Sequence, residues 1–198
     1  MPPERAVPRF AAEPAQEQLP SGRWADTLRA QLLTAVEEIE EDVGEIGDVV
    51  WFPDRTYNGR TYVPGTARTS TGVEVFGYVS YAVDAEPGRY EAVADWTEEV
   101  AEAHPEWRVD VCEEVIGEWR GEDGKVAQMT LVWGVPLVDR AAVATADLGG
   151  RITVTVDQCA LVENRFTLIA PDDYRGDTLS VIVWGSRGNE LARESLYE

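Results

Sequence analysis

The chain has 198 residues, 44% hydrophobic and 27% charged, a balance that excludes a wholly disordered chain, a collagen-like repeat and a disulfide-stapled miniprotein. No run of 18 apolar residues occurs, which excludes a membrane-spanning helix. Asp and Glu number 37 against 17 Lys and Arg, and the net charge of −20 works against binding nucleic-acid phosphate or an anionic membrane surface.

Residues 1–22 are rich in Pro, Ala, Glu and Gln and lack periodicity, so they read as a disordered arm, with Val7-Pro8-Arg9-Phe10 as an alternative docking peptide. No apolar stretch follows Arg5 and Arg9, so the arm lacks the pattern of a secretory signal and a cytoplasmic location is expected. Trp24, Leu28, Leu32, Ala35, Val36, Ile39 and Val43 recur at three and four residues. That spacing predicts a helix from an N-cap at Ser21 to a stop at Gly44 or Gly47. Its last turns carry Glu37, Glu38, Glu40, Glu41 and Asp42, where a helix dipole favours cations and where i,i+4 carboxylates repel.

Strands are expected over 48–52, 60–63 and 73–83, and a second helix over 89–104. Its stripe is Tyr90, Val93, Ala94, Thr97, Val100 and Ala101, and its stop is Pro105. Segments 107–119 and 125–137 read as a hairpin around Gly121-Glu122-Asp123-Gly124. Strands over 151–156, 165–169, 179–184 and 191–197 follow. The expected fold is therefore α+β, two helices packed on mainly antiparallel sheet. A domain covers 23–138, and a β-rich extension over 139–198 packs on it. In outline that order matches an α+β topology used by several protein-binding chaperones, an analogy of order alone.

The most distinctive segment is Pro53-Asp54-Arg55-Thr56-Tyr57-Asn58-Gly59-Arg60-Thr61-Tyr62-Val63-Pro64. Asn-Gly is the strongest short hairpin signal, because both turn residues need φ > 0. With the turn there, Tyr57 opposes Arg60, Thr56 opposes Thr61 and Arg55 opposes Tyr62. The side-chain alternation of strands then puts Arg55, Tyr57, Arg60 and Tyr62 on one face. Two readings follow: a self-stabilised hairpin of stacked Arg and Tyr, or a projecting recognition surface built from hot-spot residue types. The acidic run Glu37, Glu38, Glu41, Asp42 likewise reads either as a solvated face or as a patch for a basic protein partner.

Catalytic signals are absent. His104 is the sole histidine and stands alone as a capping group, Cys112 and Cys159 sit in β-like runs as buried thiols, and no zinc spacing, HExxH, GxSxG, P-loop or dinucleotide fingerprint occurs. Asp172-Asp173-Tyr174-Arg175-Gly176-Asp177 lacks the ligands of a calcium loop. No catalytic residue, metal or cofactor is assigned. The sequence reads as a non-enzymatic acidic binding protein of inhibitor, immunity or chaperone-like type. One alternative is a small-molecule protein or enzyme with a pocket lined by Trp51, Tyr78, Trp119 and Trp133. Another is a subunit of an assembly. The single lysine, Lys125, and the scarcity of Asn fit a GC-rich genome, in which acidic charge is common background.

Overall fold

Apolar side chains at every second position dominate this chain, and in the computed structural model they become strands that bury one or both faces. The structure describes residues 18–82, 89–120, 124, 126–149, 153–172 and 178–196. One helix, α1 (Gly22–Val36), precedes twelve strands: β1 (Ile46–Trp51), β2 (Arg55–Tyr57), β3 (Arg60–Thr69), β4 (Glu74–Ala82), β5 (Tyr90–Thr97), β6 (Val109–Arg120), β7 (Val126–Pro136), β8 (Ala141–Gly149), β9 (Val154–Ala160), β10 (Phe166–Asp172), β11 (Thr178–Gly185) and β12 (Glu190–Ser195). They form three antiparallel sheets. The first runs β1-β3-β4-β5 with β2 also paired to β3, the second runs β10-β7-β6, and the third runs β12-β11-β8-β9.

The expectation of two helices on a sheet is therefore corrected: the described residues are mostly β, with one α-helix among them. Residues 89–104 form β5 and a single 3₁₀ turn, Ala101–Ala103. Tyr90, Ala92, Ala94 and Trp96 alternate with Glu91, Val93 and Asp95, and the first set packs towards α1 and its flanking segment. That period of two coexists in the sequence with the three-four spacing that suggested a helix. A full-length partner, β4, decides between them, pairing from Glu74↔Thr97 to Tyr81↔Tyr90. The first helix ends at Val36, short of Gly44, because the acidic run sits where the dipole and i,i+4 repulsion both oppose helix. Ile39 and Val43 still reach the core, from irregular chain.

The layers follow from which residues point where. Leu28, Leu32, Ala35 and Val36 form the buried stripe of α1; Leu28 and Leu32 meet Val63 of β3 and Val79 of β4, and Val36 meets Val75 of β4. The opposite face of the first sheet, with Tyr62 and Tyr78, packs on Met129, Leu131 and Trp133 of β7 and Ile169 of β10. The other face of the second sheet, with Val132, Phe166, Leu168 and Ala170, meets Ala144, Ala146, Leu179, Val181 and Val183 of the third. Strands β7 and β10 are covered on both faces, which is why they read as apolar runs rather than alternating ones. Burying each such Leu, Ile or Phe contributes about 1.5–3 kcal/mol. Strand β8 was missed in the sequence because Ala141–Gly149 is alanine-rich and low in β-propensity.

The 121–123 part of the β6–β7 turn lies outside the described residues, but Arg120↔Val126 confirms the hairpin around it. Residues 1–17 of the arm, 173–177 of the 172–177 segment and Tyr197 also lie outside them.

Close backbone approach fixes one glycine in the second sheet. A Cβ at Gly134 of β7 would run into the carbonyl oxygen of Asp110 on β6 and meet the Phe166 ring at 3.0 Å, whereas Gly117 on β6 has open space. Gly134→Ala is expected to lower the unfolding free energy by about 1–3 kcal/mol in urea titration. Gly117→Ala should stay within about 0.5 kcal/mol of the parent.

Candidate functional site

The Asn58-Gly59 turn forms with Asn58 at φ 50° and Gly59 at φ 73°, and the pairs are Tyr57↔Arg60, Thr56↔Thr61 and Arg55↔Tyr62. Local turn chemistry thus sets the register. Strand β3 runs through Pro64 on to Thr69, with Pro64 opposite Tyr78 of β4. On its other side the Pro64 carbonyl accepts the Phe52 N–H at 2.9 Å, at the break between β1 and β2, where the missing N–H of proline costs the ladder little.

The hairpin does not project. Its Arg/Tyr face is turned into the junction of the three sheets, and Arg55, Thr56, Thr61 and Tyr62 are all buried. Tyr62 packs edge-on against Tyr78 at 5.5 Å, and Tyr57 is half-buried beside the same cluster. Arg60 donates through Nε to the Ser80 hydroxyl at 2.9 Å and lies 2.8 Å from Glu91. Arg55 pairs with Asp157 of β9 and donates to the Gln158 carbonyl at 2.9 Å, while Asp157 accepts the Ile169 N–H of β10 at 2.9 Å. Burial pushes the Asp157 carboxyl above its ordinary value, and the Arg55 charge opposes that rise. These contacts make the face a structural clamp: Arg55 and Tyr62 are covered by the protein's own sheets, and Arg60 and Tyr57 alone reach solvent in part.

The acidic residues are placed differently. Glu37, Glu38, Glu41 and Asp42 lie just past the last helical residue rather than within the helix's last turns, and all four are exposed. Glu37, Glu41 and Asp42 line an open groove of about 530 Å³, with Glu45 beside them and Leu33, Val36, Ile39, Val43 and Ile46 as an apolar floor. Glu38 is outside that lining. Arg29 stands at one end and donates to the Gly47 carbonyl at 3.2 Å. Asp42 accepts the Gly44 N–H at 3.1 Å, which holds the turn that shapes the rim. Glu45 and Ile46 were not singled out from the sequence; the clue was the acidic run continuing past Gly44.

A narrower cleft of about 280 Å³ opens between the first and second sheets, lined by Asp48, Arg68, Glu74, Glu102, Asp110 and Cys112 with Thr66 and apolar neighbours. Arg68 lies 3.3 Å from Glu74 and also pairs with Glu102. Burial raises the Glu74 carboxyl and the Asp110 charge adds to the rise; burial likewise raises Asp110, against the pull of Arg68. The Cys112 thiol is pushed well up, first by burial and then by Glu74 and Asp110, so it stays protonated and weakly nucleophilic. Sequence reasoning missed this cleft, since its residues come from β1, β3, β4, β6, β7 and the 3₁₀ turn.

The aromatic set does not converge on one pocket. Trp51 packs on the α1 side of the first sheet, Tyr78 and Trp133 fill the layer between the first and second sheets, and Trp119 borders that layer and the next. Neither the groove nor the cleft is lined by any of the four. His104 does not meet a cysteine: its ring nitrogens face Glu106 at 3.0 Å and Glu99, and the ring stacks on Trp107 at 4.4 Å. Among the described residues no three His, Cys, Asp or Glu side chains are placed to hold a metal ion. No protein-family model, curated protein or solved structure matches this chain.

Two predictions follow from these contacts. Arg55→Met leaves the buried Asp157 carboxylate uncompensated and is expected to cost about 3–5 kcal/mol at neutral pH. Arg55→Met with Asp157→Asn, which keeps an acceptor for the Ile169 N–H, should recover on the order of 1–2 kcal/mol of that loss. Because removing the arginine raises the Asp157 carboxyl further, the single variant's deficit relative to the parent should grow as pH rises through the parent's folded Asp157 value, which lies above the ordinary 3.8, and shrink below it. Urea titrations across pH measure both effects. For His104, the hydrogen bond to Glu106 is the largest cause of a pKa above the ordinary 6.5. An NMR titration should show a raised midpoint that Glu106→Gln lowers. The linked stability is present below pH 6.5 and lost as pH rises through the folded value.

Proposed function

We propose that this chain is a non-enzymatic, cytoplasmic acidic protein that binds another protein, and that the partner presents basic and apolar side chains to the groove beyond α1. The observation that carries this reading is the combination of an apolar floor (Leu33, Val36, Ile39, Val43, Ile46) with a rim of Glu37, Glu41, Asp42 and Glu45 in one open groove. An apolar floor supplies affinity by burial, and a carboxylate rim supplies steering and selects against acidic partners. The rim glutamates Glu37, Glu41 and Glu45 make no side-chain hydrogen bond or ion pair to a described residue, so their charge is available to a partner. The hairpin contributes by stiffening the sheets beneath, with Arg60 and Tyr57 at its accessible margin.

A second reading has one observation in its favour. Glu74 and Asp110, both raised by burial and sharing Arg68 in the 280 Å³ cleft, are the type of carboxyls that bind a small cation or transfer a proton. The cleft lies just below the usual size range for small-molecule sites, which begins at about 300 Å³, and this ranks it second.

The test compares the intact chain with Glu37→Lys, Glu41→Lys, Glu45→Lys as bait in the host lysate, followed by titration of the purified captured protein. A specific partner should bind the reversed form at least about ten-fold more weakly, a loss of about 1.4 kcal/mol, with a shallower salt dependence. Equal binding to both forms overturns the assignment to the groove.

A further inference from the structure

The second sheet stops one strand short of the first. Tyr90, Ala92, Ala94 and Trp96 of β5 turn towards α1 and its flanking segment, so Glu91, Val93 and Asp95 turn towards the second-sheet side. All three are exposed, with Val93 38% open to solvent. On the same face of the same sheet, Tyr62 of β3 and Tyr78 of β4 are buried against β7. Strand β6 is the last strand of the second sheet on this side. Its Cys112 and Ile116 pack into the layer with Phe76 and Tyr78. Burial raises the Glu114 carboxyl of β6, and the Asp95 charge of β5 adds to the rise, so the two strands run close. Among the described residues, the position beside β6 and over β5 is therefore vacant.

The backbone of β6 faces that position. The Arg108 carbonyl accepts the Leu137 N–H at 2.9 Å, which fixes the phase of the ladder. Asp110, Cys112 and Glu114 then turn their N–H and C=O groups to β7, and Val111 and Val115 turn theirs outward. The register is unbroken from Val109 to Val115, and a bulge follows. An edge of this kind is a template for a further strand. Other edges are already engaged: Arg29 and Arg165 donate to the Gly47 and Trp51 carbonyls of β1, Arg55 donates to the Gln158 carbonyl of β9, and Asp157 takes the Ile169 N–H of β10. On β6 the Val115 N–H meets only the carboxylate of its neighbour Glu114, among the described residues, a local contact that an incoming carbonyl can replace. We propose that an extended basic strand of another protein adds to the outer edge of β6 and covers β5, completing the second sheet. Charge selects the occupant. Stacked sheets lie about 10 Å apart, so a residue of the added strand over Val93 is apolar, and those two places either side are Lys or Arg, reaching Glu91 and Asp95. A second copy is disfavoured: pairing two β6 edges about Cys112 sets Asp110 of each chain opposite Glu114 of the other. This surface is separate from the groove beyond α1, and the inference does not rest on that groove.

The test titrates the full chain with the capped peptide Thr-Arg-Thr-Val-Thr-Arg-Thr and follows it by amide NMR and hydrogen exchange. The control peptide has Glu in place of both Arg. The basic peptide should shift Val93, Val111 and Val115, slow exchange at the Val111 and Val115 amides, and bind more weakly in about 0.5 M salt. Asp95→Asn with Glu114→Gln removes two charges that repel each other and should weaken the peptide about ten-fold. Two further peptides separate strand pairing from charge attraction, one N-methylated on the Arg and Val residues and one on the Thr residues. An added strand turns alternate amides to β6, so one of the two should lose at least about ten-fold in affinity while the other keeps it. Equal binding of both methylated peptides, or of the acidic control, overturns the proposal. So does a lack of shifts on β5 and β6 at millimolar peptide, or shifts confined to Ile39–Ile46, which would place the peptide in the groove. A peptide-free dimer in which the Val111 and Val115 amides are protected also overturns it, since a second copy would then fill the position.

Discussion

The Arg55–Asp157 pair ties all three sheets together, and much of the architecture depends on it. Strand β2 is only three residues long and could not hold its place by ladder hydrogen bonds alone. Its arginine crosses to β9 in the third sheet, and the same aspartate takes the Ile169 N–H that β10 turns away from β7 in the second. The carboxylate thus stands in for a neighbouring strand at the open edge of β10. A buried ion pair of this kind adds little net stability over an apolar substitute, because desolvation consumes most of the attraction. Its contribution is geometric: the donors and acceptors are satisfied in one arrangement of the sheets, and sliding any sheet breaks them. Arg165 adds a second tie of the same sense, donating to the Trp51 carbonyl at 3.1 Å across the first and second sheets.

How much of this was legible in the sequence depends on how local each cause is. The register of the 55–62 hairpin was readable, since Asn58-Gly59 dictates the turn and the turn dictates every pair after it. Where its Arg/Tyr face points was not, because the partner of Arg55 lies 102 residues away and only the stacking of sheets brings it near. Strands β6, β7, β10 and β11 were readable from long apolar or β-branched runs. Residues 90–97 were not, because Tyr90, Ala92, Ala94 and Trp96 satisfy a period of two while Tyr90, Val93, Ala94 and Thr97 satisfy a helical one. Tertiary pairing with β4 chose between them. Strand β8 gave no signal at all: its buried Ala144 and Ala146 are small enough to let sheets approach, and smallness has no periodicity to read. Of the candidate sites, the acidic residues were legible as composition, but the apolar floor that makes them a groove required Leu33 and Val36 on the helix to meet Ile46 on β1.

That groove exists because local stability is given up around it. The acidic run terminates α1 at Val36, well before the apolar spacing runs out, and the freed segment folds back so that Ile39 and Val43 still cover Val75. Gly44, at φ 80° and against Ser70 and Thr71, lets the chain turn there, and Thr71 seals the fold-back by donating to the Val43 carbonyl at 2.7 Å. Carboxylates that oppose a helix therefore create a concave surface with those same carboxylates on its rim.

The distribution of positive charge sharpens the point. Arg55, Arg60, Arg68, Arg165 and Arg193 are each engaged with a carboxylate of this chain, and Arg29 and Arg108 donate to backbone carbonyls. Most of the arginines within the described fold are thus committed to holding sheets and loops together. The surplus of acid is left to the surface, where screening over roughly 8–10 Å makes it a local rather than a global field. A charge spread evenly would confer solubility alone. Set around an apolar floor, four of these carboxylates gain a second property: a guanidinium arriving there finds no internal arginine already paired with Glu37, Glu41 or Glu45. Among the described residues, the contrast between a cleft in which Arg68 pairs with Glu74 and Glu102 and a groove whose own arginine, Arg29, is turned to the Gly47 carbonyl and pairs with none of the rim carboxylates is the physical reason for placing recognition in the groove and structural cohesion in the sheets.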